Sequence, residues 1–243
     1  MAITAAVFDT FVSTVDNTDS FSTANTKTVT ANTAYVVGVI RTNSAALSVV
    51  PTLSGWGITW TQVQRVTLAG GGRDLTIFEG NTSSPTAGTL TCSYVGDAIT
   101  GDAVIAIEVG GDIAATDPVR DATIGTATGA STSRTVALAG DYAQTTHAAI
   151  AFFHALLGTA VDVTAEAEWT ELSDISFSAP NTHSQCQFRA DAGSAADTNC
   201  TATWDGTSVQ NGAVILELQA VGASSSFRHT GRRRQRLLMA LFV

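Results

Sequence analysis

The sequence has few cysteines, few prolines and little charge. Three of its 243 residues are cysteine, four are proline and 14% are charged. Cys92, Cys186 and Cys200 are too few and too widely spaced for a disulfide framework or a CxxC metal-ligand pair. We expect all three to be small buried side chains on strands, and a Cys186–Cys200 bridge is the alternative.

Long apolar runs are also missing from the body of the chain. The N-terminal sequence MAITAAVFDT has neither the basic residues nor the apolar stretch of a secretory signal. No run in the body approaches the roughly 18 apolar residues that a membrane-spanning helix needs. We therefore expect a protein that is made in a cytoplasm without a signal peptide.

Positive charge is scarce and clusters near one end. The chain has 12 basic and 21 acidic residues, and five of the basic ones are arginines between positions 228 and 236. Residues 1–227 therefore hold seven basic and 21 acidic residues, a net charge of −14, whereas the segment after them carries +5. A body this acidic repels nucleic acid and anionic membranes, so the sequence argues against either as a partner.

Short β-branched and aromatic runs are abundant and are separated by Gly, Asn, Asp and Ser. They include AYVVGVI, LTIFEG, GTLTCSYV, AVIAIEV, QCQFRA and AVILELQAV. Regular spacing of short strands with turn residues between them predicts an all-β, antiparallel sandwich or barrel, and we favour the sandwich. Within the body, only HAAIAFFHALLG competes as a helix, because a glycine could cap its end.

An internal repeat is visible in two tryptophan-led segments, WTQVQRV and WTELSDI. They share apolar residues at positions i, i+3 and i+6 and lie 109 positions apart: Trp60, Val63, Val66 and Trp169, Leu172, Ile175. This spacing departs from simple strand alternation, so each copy should contain a β-bulge or a tight bend. The same offset aligns the inward residues of AVIAIEV and AVILELQ and leaves Glu108 and Glu217 on the opposite face, which we expect to be exposed.

The repeat divides the chain into two similar halves. We expect an N-terminal arm at 1–20, β-sandwich halves at 21–111 and 128–222, a crossover linker at 112–127, and a C-terminal arm at 223–243. The predicted fold is thus an internally duplicated, jelly-roll-like antiparallel β-sandwich with a C-terminal arm. The halves could form two lobes or interleave into one sandwich, and we favour two lobes that share an interface.

Motifs for catalysis or cofactor binding are absent from the sequence. It has no G-x-S-x-G, H-E-x-x-H, P-loop or G-x-G-x-x-G, and its four histidines share no ligand spacing. Glu108 and Glu217 occupy equivalent repeat positions, whereas an acid/base pair needs two different environments. We therefore expect a protein that is not an enzyme and that has no catalytic, cofactor or metal site.

The four tryptophans fall into two groups. Trp60 and Trp169 have aliphatic partners at repeat-equivalent positions, so we expect them in the core. Trp56 lies between two glycines and Trp204 precedes Asp-Gly, so we expect these two to be more exposed. They are the candidate glycan contacts.

The C-terminal arm combines arginines with an apolar run, GRRRQRLLMALFV. Burial of its six large apolar side chains contributes roughly 9–18 kcal/mol, whereas ordering seven residues costs on the order of 10 kcal/mol, so the arm needs a matching surface. We expect it to dock on a neighbouring subunit or partner protein, with its own lobe, nucleic acid and membrane as alternatives. The candidate partner-docking residues are Arg232, Arg233, Arg234, Arg236, Leu237, Leu238, Met239, Leu241, Phe242 and Val243.

The order AYVVGVI, WTQVQRV, LTIFEG, GTLTCSY and AIEVGGD…DPV, with the basic-apolar ending, resembles β-sandwich virion structural proteins of tailed bacteriophages. These include capsid-decoration, head–tail and tail accessory proteins. The resemblance covers most of the chain in pattern and composition, without a diagnostic motif. It implies a non-enzymatic role in the virion, as a homo-oligomer or bound to other virion proteins. A carbohydrate- or receptor-binding β-sandwich module is the alternative.

Overall fold

The computed structural model describes residues 2–14, 19–68, 70–97, 99–114, 116–157, 162–178, 181–194 and 197–221. Within these ranges the chain is all-β, with one short 3-10 turn at Ala192–Ser194 and no α-helix. The strands are β1 Thr4–Ser13, β2 Ser20–Ser22, β3 Ala34–Thr42, β4 Thr52–Ser54, β5 Thr59–Thr67, β6 Arg73–Asn81, β7 Thr91–Ser93, β8 Gly101–Gly110, β9 Val119–Ala137, β10 Ala148–Leu157, β11 Val163–Ala165, β12 Thr170–Ser178, β13 Asn181–Arg189 and β14 Asn199–Leu218.

Every strand pairing is antiparallel, as the sequence predicts. One five-stranded sheet has the order β1-β8-β3-β6-β5, and a three-stranded sheet has the order β2-β7-β4. The remaining sheet has the order β11-β14-β10-β13-β12, with β9 paired to β14. We call β1–β8 the first lobe and β9–β14 the second lobe.

The core lies in three layers. The two large sheets face each other, and alternate residues of β3, β6 and β8 pack against those of β10, β13 and β14 in a central cluster. A second cluster fills the space between the other face of the first large sheet and the three-stranded sheet. A third lies on the outer face of the second lobe, under β11 and the start of β14. Strands buried on both faces read as continuous apolar runs, which explains why AAIAFFHALL forms β10 and no helix.

The predicted bulges are confirmed. The register of β5 on β6 shifts between Gln62 and Gln64, and that of β12 on β13 shifts between Glu171 and Ser173. The extra residues are therefore Val63 and Leu172, which are 109 positions apart and both pack against the central cluster. The extra residue shifts the alternation of the strand by one position. Two apolar side chains three positions apart, such as Val63 and Val66, therefore both face the central cluster.

Two segments expected outside the sandwich halves belong to strands. Much of the predicted N-terminal arm forms β1, which pairs with β8, and the predicted linker at 112–127 includes the start of β9, which pairs with β14. Both are outermost strands of their large sheets. Their formation depends on the open backbone groups of the neighbouring strand, which a local sequence pattern does not reveal. The predicted C-terminal arm at 223–243 lies outside the described residues.

The expectation that Glu217 is exposed is wrong. The inward residues of β8 and β14 do pack in the central cluster, and Glu108 and Glu217 do point the other way. However, the outward face of β14 is covered by a further layer, so Glu217 is 0% exposed and Glu108 is only partly exposed. Alternation along a strand assigns a face, but it does not say whether another layer covers that face.

Candidate functional site

The candidate partner-docking residues between Arg232 and Val243 lie outside the described residues. Their role therefore stays a prediction. The described residues do include the candidate glycan contacts, three of the four histidines, the cysteines and most of the acidic residues.

The expected exposure of Trp56 and Trp204 is wrong. Trp56 is 1% exposed and donates its indole N–H to the Gly88 carbonyl at 3.1 Å, and its ring meets that of Phe8 edge-on. Trp204 is 4% exposed and donates to the Ser131 carbonyl at 2.8 Å. The glycine on each side of Trp56 has positive φ, so the turn folds the ring inward. Neither ring offers an open face to a sugar.

Trp60 and Trp169 pack in or against the outer clusters, as the repeat predicts. The three cysteines are buried and unbridged, which confirms the prediction of core side chains over a Cys186–Cys200 bridge.

A buried histidine–carboxylate pair lies in the second lobe. Glu217 accepts a hydrogen bond from the Ala143 backbone N–H at 2.8 Å, lies 2.6 Å from Nδ1 of His147 and pairs with Arg120. Burial alone would raise the pKa of Glu217, but these partners outweigh it and lower the pKa. Because His147 and Glu217 are both 0% exposed, a substrate cannot reach them, and the pair ties the loop before β10 to β14.

A buried charged cluster lies in the first lobe. Arg41 is 0% exposed and binds both carboxylate oxygens of Asp74, at 3.1 and 2.6 Å. Its other contacts are Asp97 at 3.4 Å and the Val49 carbonyl at 2.7 Å. Arg65 adds a second guanidinium to Asp74 at 2.6 Å. Two buried carboxylates are thus matched by two arginines, which we call the arginine plug.

The second lobe carries an open cleft of about 860 Å³ beside β11, β12 and β13. We call it the acidic cleft. The residues that define its chemistry are Asp162, Glu166, Trp169, Glu171, Asp174 and His183. Within the described part of the chain, none of its four carboxylates forms an ion pair with lysine or arginine.

The acidic cleft and the arginine plug occupy corresponding sheet positions. Ala155 pairs with His183 on neighbouring strands of the second lobe, as Arg41 pairs with Asp74 in the first. Asp174, on β12, lies 109 positions after Arg65, on β5, and so does His183 relative to Asp74. At the positions of the two plug arginines the second lobe therefore has Ala155, which packs in its outer cluster, and Asp174, which lines the cleft.

The carboxylates of the acidic cleft are held by neutral donors. Glu171 accepts from the Gln185 amide at 2.8 Å, Asp174 from the Val163 N–H at 3.3 Å, and Glu166 from the Thr201 N–H at 2.6 Å.

The cleft lowers the acidity of these groups. Burial raises the pKa of Glu171, and the nearby carboxylates of Asp174 and Asp162 raise it further. Burial and the carboxylate of Asp162 also raise the pKa of Asp174. Burial lowers the pKa of His183, so this histidine supplies no compensating charge near neutral pH. The cleft is a concentration of like charge.

Trp169 forms part of the cleft wall and is 7% exposed. Its indole N–H has no acceptor among the described residues. A buried N–H without an acceptor costs on the order of 1–3 kcal/mol, so a ligand that brings an oxygen to it gains affinity. Sequence reasoning assigned Trp169 to the core correctly but missed the cleft, because the cleft depends on the place of β11 across the lobe.

The described residues contain no group of three or more His, Cys, Asp or Glu side chains placed to hold a metal ion. Among the same residues there is no helix long and apolar enough to cross a membrane. No protein-family model, curated protein or solved structure matches this chain significantly.

Proposed function

We propose that this chain is a virion structural protein, of the capsid-decoration or head–tail and tail accessory type, that joins neighbouring subunits through its C-terminal arm. The observation that carries the proposal is the strand order. An eight-stranded jelly roll places strands 1-8-3-6 in one sheet and strands 2-7-4-5 in the other, and such folds are common in viral capsid and lectin domains. The first lobe has the order β1-β8-β3-β6-β5 opposite β2-β7-β4. The first lobe shares the jelly-roll order except that β5 pairs with β6 and not with β4.

The second lobe supports the idea of an internal duplication. Five of the six strands of its sheet follow the order β9-β14-β10-β13-β12, which corresponds to β1-β8-β3-β6-β5 of the first lobe, and β11 is additional. The bulges recur 109 positions apart. Across the central cluster β5 meets β9 and β12 meets β1. Reciprocal contacts of this kind are what an approximate two-fold axis produces. A duplicated gene whose product packs like a former dimer accounts for them.

The chemistry of the arm supports assembly. Its arginines have an opposite charge to the acidic body, and its apolar run would promote aggregation unless another surface covers it. A lectin-like role, the alternative from sequence, loses its two nominated residues because Trp56 and Trp204 are buried. The acidic cleft remains as a place where a sugar could bind, and the experiments below distinguish that outcome.

The test compares the full chain with a variant lacking residues 232–243 and with the full-length variant Leu238→Asp/Leu241→Asp. We expect the wild type to show a mass in light scattering that is a multiple of the 25.0 kDa chain. Both variants should keep the same β-rich circular dichroism and stay at the mass of one chain. The full-length variant Ser224→Asp/Ser226→Asp adds the same two charges outside the docking residues and is the control, which should assemble like the wild type.

Normal assembly of both truncated and aspartate variants would overturn the proposal. A wild type that stays monomeric and binds oligosaccharides on a glycan array would favour the carbohydrate-binding alternative.

A further inference from the structure

We propose that the acidic cleft of the second lobe is the seat for the arginines at 232–236 of another copy of this chain. The inference rests on the proposed function, and it names the surface and the contact by which copies join. It follows from the internal comparison of the lobes, from the unmet hydrogen-bonding capacity of the cleft, and from the reach of the arm.

The first lobe shows what fills this part of the fold. There Arg41 and Arg65 place two guanidiniums against Asp74, with Arg41 also reaching Asp97. The second lobe has Ala155, Asp174 and His183 at the positions of Arg41, Arg65 and Asp74. Its carboxylates line the cleft from other positions of the same region, and no arginine lies among the lining residues. A guanidinium matches two carboxylate oxygens at once through parallel N–H donors, which an ammonium cannot do. The missing partner is therefore an arginine side chain brought from elsewhere.

A ligand that fills the acidic cleft must offer hydrogen-bond donors to its carboxylates and an acceptor to the Trp169 indole N–H. The four carboxylates of the cleft are acceptors that lack a cation among the described residues, whereas the Trp169 indole N–H is a donor that lacks an acceptor. An arginine-containing peptide supplies both, through its guanidiniums and its backbone carbonyls. A simple metal or ammonium ion would leave the indole unsatisfied. The sequence RRRQR offers four guanidiniums within five residues.

The position of the cleft favours an arm from a second copy. His183 pairs with Ala155, which in turn pairs with Asn211 of β14, so the cleft lies level with Asn211. The ten residues from Asn211 to Val221 carry the chain away from the cleft by roughly 33 Å at about 3.3 Å per residue.

The C-terminal arm of the same chain is short compared with the distance from Val221 back to the cleft. Arg232 and Arg236 follow Val221 by 11 and 15 residues, and a Gly/Ser-rich chain of that length has an r.m.s. span of roughly 17–23 Å. Occupation of the cleft by its own arm would require a nearly extended path, whereas a neighbouring copy meets no such limit.

The experiment uses full-length protein and the variant Glu171→Gln/Asp174→Asn. Both side chains are exposed, and the amides keep an oxygen for Gln185 and for the Val163 N–H, so the fold should be retained. The matched control is Asp19→Asn/Asp141→Asn, which removes the same charge at exposed residues outside the cleft lining. Self-association is measured by light scattering. Binding of a labelled RRRQR peptide is measured by fluorescence anisotropy, with KKKQK for comparison.

We expect the cleft variant to weaken both self-association and RRRQR binding by at least tenfold, and the control to change neither by more than twofold. RRRQR should bind at least fivefold more tightly than KKKQK, and an excess of it should dissociate wild-type assemblies. Peptide binding that is equal for the cleft variant and the control would overturn the inference.

The two proposals fail in different ways. If the deletion of 232–243 abolishes assembly and the cleft variant assembles normally, the cleft is not the seat, but the arm still joins subunits. If the deletion leaves assembly intact, the proposed function itself is wrong. Loss of oligosaccharide binding in the cleft variant, without loss of RRRQR binding, would identify a sugar site and overturn the inference.

Discussion

The contact between Gly38 and Phe152 at the centre of the lobe interface allows a quantitative test of the packing. Gly38 pairs with Ile77 and Phe152 pairs with Cys186, and these partners are 109 positions apart, so the two residues face each other near the approximate two-fold axis. A Cβ added at Gly38 would lie 2.7 and 2.8 Å from two ring carbons of Phe152. Normal carbon–carbon contacts are about 3.5–4.0 Å. The aromatic ring therefore occupies the space that the glycine leaves.

These distances set the expected magnitudes. Gly38→Ala requires the fully buried ring to shift by about 1 Å, and overpacking of this kind costs about 1–3 kcal/mol of unfolding free energy. Phe152→Ala leaves a cavity and costs about 3–5 kcal/mol. In the double variant the new methyl group enters that cavity, so Gly38→Ala becomes neutral or stabilising there. We expect a coupling energy of roughly 1–3 kcal/mol.

The assay is guanidinium chloride unfolding, followed by tryptophan fluorescence and circular dichroism, for the two single variants and the double variant. Gly140→Ala serves as the control, because nothing lies within 4 Å of a Cβ added there, and its effect should stay within about 0.5 kcal/mol. Additive effects within about 0.5 kcal/mol at Gly38 and Phe152 would refute the reasoning. So would a neutral Gly38→Ala in the wild-type background.

Two further predictions concern the charged interior of the first lobe. Arg41→Met should lower the unfolding free energy by about 3–5 kcal/mol because it leaves buried carboxylates uncompensated, whereas Arg189→Met, whose partners are largely exposed, should cost less than about 1 kcal/mol; equal shifts in thermal unfolding would contradict this. Burial raises the pKa of Asp102 to about 7 despite the Tyr94 hydroxyl and the Arg41 charge, with Asp74 adding to the rise. Between about pH 4 and 7 the folded state then holds a proton that the unfolded state has lost, so stability falls as pH rises through that window, by up to about 4 kcal/mol. Asp102→Asn should remove this slope in unfolding experiments across pH, and parallel curves for variant and wild type would show that Asp102 does not titrate there.

Much of the fold could be predicted from local sequence patterns. Alternating and continuous apolar runs identified most of the strands, and the i, i+3, i+6 spacing from Trp60 and Trp169 identified both bulges. These features depend on the pleat of a strand, which the order of residues encodes directly. Strand β1 and the first part of β9 escaped detection because an outermost strand forms on the open edge of a neighbour, and that neighbour is distant in sequence.

The candidate site could not be predicted in the same way. The sequence pointed to the arm and to Trp56 and Trp204, whereas the described residues place both tryptophans in outer cores and open a cleft beside Trp169. Whether a face is covered depends on the layer that lies over it. Equivalent positions in the two lobes therefore became an arginine plug in one and an acidic cleft in the other.

The sequence by itself determined the all-β class, the 109-residue periodicity and the separation of an acidic body from a basic, apolar end, because each follows from the order and charge of neighbouring residues. Only the tertiary structure decided that the large sheets are buried on both faces, that Phe152 fills the space over Gly38, and that Glu217 is a buried ion-pair partner. These outcomes require residues far apart in the chain to meet, and the free energy of their contacts depends on the packing of whole layers.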